Sequence, residues 1–223
     1  ALQTEAERGE SPHMQPLQIE SCSDLLFANT FLYRVDQPVP HVAARRVSSR
    51  KELEAFLARA VRGAGVQKVL LIGGDDPQAL GPFADSVSLL RSGVFASCGV
   101  REVGIAGYPE GHAHIARASL ESAMAEKLAI ASAQGLGAYV ITQFSFAPAR
   151  IVEYCSALAR NAPGVPVYGG LAGPADPARL LRFAQRCGVS ASLRALRAQG
   201  MGLVRLVTHT DPSAQLAAVA RYC

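Results

Sequence analysis

Short apolar runs alternate along the chain with longer stretches of helical periodicity. Residues 16–20, 31–35 and 39–43 read as short strands, and residues 66–72, 139–142, 165–168 and 203–207 as further ones. Another strand passes through Val103 and Ile105 and stops at Gly107. Between them, apolar residues recur at helical spacing. Leu53, Phe56, Leu57 and Ala60 predict a helix over 50–62, and Phe83, Val87 and Leu90 one over 81–91. Helices are also expected over 113–132, 147–160, 176–186, 190–199 and 212–222.

The punctuation agrees with this pattern. Ser48 or Ser49 can cap the helix at 50, Gly63 and Gly65 close it, and Asp176-Pro177 suits a cap and first turn. Strand and helix alternate with a period of about thirty residues and short turns, the pattern of parallel βα units. The expected architecture is a TIM (β/α)8 barrel forming one domain over 16–223, after a loose leader at 1–15. A doubly wound open sheet is the alternative, because it too gathers strand ends on one side. One stretch resists the scheme. Residues 31–35 and 39–43 are separated only by Asp36, Gln37 and Pro38, and parallel neighbours need a crossover of about a dozen residues. The barrel is therefore expected to be irregular or incomplete around its second βα unit, where the short segment 21–38 falls.

Composition narrows the function. The 223 residues are long enough to bury a full core, and the formal net charge is +4. Aromatic content of 6% leaves little stacking surface, so nucleic-acid binding ranks low, and basic residues near a pocket would equally suit a small anionic ligand. No apolar run reaches membrane-spanning length. The five cysteines, Cys22, Cys98, Cys155, Cys187 and Cys223, show no paired spacing, which suits reduced thiols in the cytoplasm and no metal site.

The chemistry-bearing residues sit where strands are expected to end. Glu20, His41, Asp75, the group Tyr108, Glu110 and His112, and Gln143 fall at successive strand ends, and a barrel brings such ends to one face. Each has a plainer reading. Asp75, before Asp76-Pro77, has the spacing of a helix cap. His41 can be a packed core histidine, and Tyr108, Phe144 and Phe146 can close the core. Gln143 is harder to dismiss, since an amide at the end of a buried strand needs partners. His114 is expected to face solvent.

Leu71-Ile-Gly-Gly-Asp75, Ala106-Gly-Tyr-Pro-Glu-Gly-His112 and Ile141-Thr-Gln-Phe-Ser-Phe146, in that order, resemble the methylenetetrahydrofolate reductase family. Pro40-His-Val-Ala-Ala-Arg45 and Ile19-Glu20 fall where that family has its histidine strand and first-strand glutamate. The resemblance implies a TIM barrel that reduces 5,10-methylenetetrahydrofolate to 5-methyltetrahydrofolate with hydride from NADH or NADPH, usually through FAD. It makes Glu20 the general acid and Asp75 the group that steadies the developing cation and holds the pterin. Gln143 and Phe146 would contact the substrate, and His41, Gly74, Tyr108, His112 and Lys127 would line the cofactor.

FAD is only partly matched. Gly73 stands where flavin-dependent members have an arginine, and Arg117, Glu121 and Lys127 are imperfect counterparts of their phosphate-binding residues. The resemblance thus leans toward direct transfer from the nicotinamide. The implied partner is a tetrahydrofolate-type substrate, with no nucleic acid and no membrane, and a homo-oligomer is compatible with it. The alternative is a non-catalytic or partner-dependent folate-binding homologue of the same fold.

Overall fold

The computed structural model describes residues 38–171, 182–185, 187, 189 and 212–221. The expected elements at 16–20, 31–35, 190–199 and 203–207 lie outside them, as does Glu20. Of the helix expected over 176–186, residues 182–185 are described and are helical.

The described strands are β1 (His41–Ala43), β2 (Lys68–Ile72), β3 (Glu102–Gly107), β4 (Gly137–Thr142) and β5 (Val167–Tyr168). They form one sheet in the order β1-β2-β3-β4-β5, and every pairing is parallel. The helices are α1 (Arg50–Ala64), α2 (Ser86–Arg91), α3 (Val94–Ser97), α4 (Arg117–Ala133), α5 (Pro148–Asn161) and α6 (Pro212–Ala220), the last lying against α5.

The alternation within each strand divides the side chains between two faces. Val42, Val69, Leu71 and Val103 point to one face and pack with Leu53, Phe56 and Leu57 of α1, Leu89 and Leu90 of α2, and Val94 and Phe95 of α3. Ile105 and Val140 continue that face against Met124 and Leu128 of α4 and Tyr154 and Leu158 of α5. All of α1 to α5 therefore cover the same side. Strand order never reverses among the described strands, so the doubly wound alternative, with helices on both faces and a switch point, does not describe them. A fully buried leucine such as Leu53 or Leu71 contributes about 1.5–3 kcal/mol relative to exposure.

Local signals explain the helix limits. The Ser49 side chain accepts from the Glu52 N–H at 3.2 Å, and Gly65 ends α1 in the left-handed region at φ 66°. The helix expected over 81–91 begins only at Ser86. Gly81 passes against the Ser48 carbonyl so closely that a Cβ there would lie 2.2 Å from its oxygen, which fixes this stretch as a loop. Phe83 is buried from that loop, and Asp85 and Ser88 form a capping box that starts α2. The helix expected from 113 starts at Arg117, because His112 and Ile115 first pair across a tight turn.

Candidate functional site

The carboxyl ends of β2, β3 and β4 carry most of the expected site residues, each on a loop that the preceding strand fixes. After β2 the chain turns through Gly73 and Gly74, and Gly74 adopts φ 93°, a conformation open to glycine at little cost. Asp75 follows, exposed. It caps no helix, since Asp85 fills that role. Two arginines at the end of β1 fasten this loop. The Arg45 backbone N–H donates to the Gly73 carbonyl at 3.0 Å, and its guanidinium donates to the Asp76 and Ala84 carbonyls at 2.9 Å each. Arg46 pairs with the Asp76 carboxylate at 2.7 Å and holds that carboxyl below its usual range.

After β3 come Tyr108, Pro109, Glu110 and His112. The Tyr108 and His112 rings meet edge to face at 5.4 Å between centroids. Burial raises the Tyr108 phenol, and the charges of Asp75 and Cys187 add to the shift. Burial also lowers the His112 imidazole, helped by His114 and opposed by Asp75. The Asp75 carboxylate thus acts on both rings. The His114 backbone N–H donates to Nδ1 of His112 at 3.2 Å, so in the neutral imidazole Nε2 carries the proton and is the donor. His114 itself is exposed, as expected.

After β4, the Gln143 N–H donates to the Gly107 carbonyl at 2.7 Å, continuing the ladder one step past the strands. Its side-chain oxygen accepts from the Phe144 N–H at 3.1 Å, which leaves the amide NH2 without a partner among the described residues. Phe144 and Phe146 are both buried and meet edge to face at 5.6 Å. Phe144 stacks at 5.7 Å on Phe183, which is 54% exposed. Phe146 therefore has the packing of a core residue, and Phe183 is the aromatic that reaches solvent.

His41 and Lys127 lie apart from this group. His41 opens β1 rather than ending it, and it pairs in register with Leu70, level with Gly104 and Tyr139. There it lines a hollow of about 310 Å3 with Val39, Lys68, Tyr139, Ile141 and Tyr168 on the face away from the helices, and desolvation lowers its pKa. Lys127 is buried, with its amine 3.5 Å from Ser86 Oγ at the start of α2. Desolvation lowers its pKa, against the raising effect of Asp85.

Several residues that hold the site were not readable from the chain. Ser145, fully buried, donates to Glu110 at 2.6 Å, and Thr142 Oγ1 accepts from the Gly170 N–H at 2.8 Å. The Tyr154 hydroxyl of α5 meets the Tyr108 backbone N–H, while burial pushes its pKa up to about 12. The one signal for Ser145 is its alternation with Gln143, polar at i and i+2 past the strand. No group of three or more histidine, cysteine or acidic residues able to hold a metal occurs among the described residues. Cys98, Cys155 and Cys187 are each partly buried.

Fold and site together define a parallel α/β protein whose polar groups gather at neighbouring strand ends. Compared with models of known protein families, the chain matches none. No described helix is long and apolar enough to cross a membrane.

Proposed function

We propose that the chain is a TIM-barrel reductase of the methylenetetrahydrofolate reductase type. The observation that carries the reading is the grouping of Asp75, Tyr108, His112 and Gln143 at the ends of three consecutive parallel strands, with one carboxylate acting on both rings. Sequential strand order with helices on one face is also what a closing barrel requires.

In this reading Glu20 gives a proton to the bridging nitrogen that leaves the methylene carbon. The carbon–nitrogen bond breaks and an iminium forms with the other nitrogen. A reduced nicotinamide, when bound, would supply the hydride that turns that carbon into the methyl group. Asp75 steadies the cation by charge, and Gln143 offers its amide NH2 to the pterin edge. FAD fits the described residues poorly. Of the cations of α4, Lys127 is buried and turned to Ser86, while Arg117 pairs with Glu121 in an exposed contact at the start of the helix. The reading therefore takes direct transfer from the nicotinamide.

Purified protein incubated with NADH and methylenetetrahydrofolate should form the methyl product and show no flavin absorbance. Glu20→Gln should abolish turnover while ligand binding persists. A second reading is a folate-binding homologue without turnover. It is favoured by the Gln143 oxygen turned back on its own backbone and by the buried Phe146. Ligand binding without NADH oxidation would select it.

A further inference from the structure

The last hydrogen bond of the β3–β4 ladder runs from Gln143 N–H to the Gly107 carbonyl. Beyond it the two chains separate, and the turn carrying Tyr108 and His112 needs another hold. Ser145 supplies one. Its Oγ lies 2.6 Å from Glu110 Oε1, 3.2 Å from the Ala147 carbonyl and 3.0 Å from the Ala147 N–H.

A hydroxyl has one proton to give, and an ionised carboxylate only accepts. The short contact therefore takes the proton, and the Ser145 lone pair receives the Ala147 N–H at the start of α5. Ser145 is also bridged to Leu171 after β5. One fully buried residue thus touches the loops after β3, β4 and β5.

We propose that Ser145 and Glu110 are positioning residues, whose hydrogen bond holds the Tyr108–His112 turn against the end of β4 and so sets the environment of the His112 ring. They act through His112 and Tyr108 and do not themselves touch a ligand. The proposal rests on the geometry of the site and not on the reaction assigned to it, so it can fail while that assignment stands, and the reverse.

Geometry, not charge, links Glu110 to His112. Among the described residues, the charges acting on His112 are those of His114 and Asp75, and Tyr108 is the other titratable ring against it. This gives opposite signs to the two explanations. Loosening the turn exposes the imidazole and moves its titration midpoint up, toward the ordinary value. Removing a carboxylate from a fixed turn moves it down or leaves it in place.

The experiment is an NMR titration of His112 in the full chain for wild type, Ser145→Ala, Glu110→Ala and Glu110→Gln. Thermal unfolding is followed in parallel. Both alanine variants should move the midpoint up by about half a pH unit or more. Glu110→Gln keeps an oxygen acceptor for Ser145 and should stay nearer wild type than Glu110→Ala. A midpoint unchanged or lowered in the alanine variants overturns the proposal. If both alanine variants fail to fold, Ser145→Cys, which keeps the side chain's shape but offers only a weak S–H donor, decides: an upward shift supports the positioning role, and an unchanged or lowered midpoint refutes it.

Discussion

Tyr139 of β4 lies across Gly104 of β3. The two are direct partners in the sheet, and the tyrosine hydroxyl continues over β3 to donate to the Val69 carbonyl of β2 at 3.2 Å. A Cβ on Gly104 would sit 2.7 Å from the tyrosine ring. Lys68 approaches the same ring at 5.8 Å while pairing with Glu102 at 2.9 Å, and Tyr168 meets it edge to face. One side chain thus spans three strands on the face away from the helices, and burial there pushes its phenol up to about 12.

Gly104→Ala should therefore destabilise the fold by about 1–3 kcal/mol, the usual cost of overpacking. The ring can yield only by giving up the Val69 bond. Denaturant unfolding measures the loss, and Gly104→Ala combined with Tyr139→Leu should cost less than the sum of the two single changes.

Stability should fall as pH drops through the lowered pKa of His112. Its folded value lies below the ordinary 6.5, so between the two the unfolded chain binds more protons. The contribution is fully present above about 6.5 and is lost as pH falls through the folded value. Thermal midpoints recorded from neutral to mildly acid pH should slope less in His112→Gln than in wild type.

Asp75→Asn removes the carboxylate that raises His112 and helps to raise Tyr108. Both groups should then titrate lower than in wild type, the histidine further from its ordinary value and the tyrosine closer to it. NMR of the two rings reads this directly. No movement in either would detach Asp75 from the cluster.

Lys127 carries a buried amine with one long hydrogen bond, a poor return for the desolvation it suffers. Lys127→Met keeps the volume of the stem and should unfold at the same temperature as wild type or higher. It should leave ligand affinity unchanged. A clear loss of affinity would show that the side chain reaches the ligand after all.

The parts of the fold legible in the chain are those governed by near neighbours. Ser49 and Gly65 bound α1 because cap and stop lie within a turn of the helix they serve. Phe83 misled because it shares helical spacing with Val87 and Leu90, yet it is buried from a loop fixed by Gly81 against Ser48, a contact the spacing does not encode. His41, expected at a strand end, opens β1 instead, because its height in the sheet depends on pairing with Leu70. In the site, Gly74, Asp75, Tyr108, His112 and Gln143 stood out as polar or glycine residues after apolar runs. Ser145 did not, because its partner Glu110 is 35 positions away and only the β3–β4 pairing brings them together.

The two-faced alternation of β3 has a consequence for how this chain can change in length. Val103 and Ile105 face the helices while Glu102, Gly104 and Ala106 face the other way. One residue inserted inside the strand would exchange the sets, driving Glu102 toward the core and setting a bulky side chain where only Gly104 fits beneath Tyr139. The same insertion between Gly111 and Ala116 meets no such parity. Lineages of this protein should vary in length after their strands and hardly ever within them, so the loops that carry the chemistry are also the segments free to diversify.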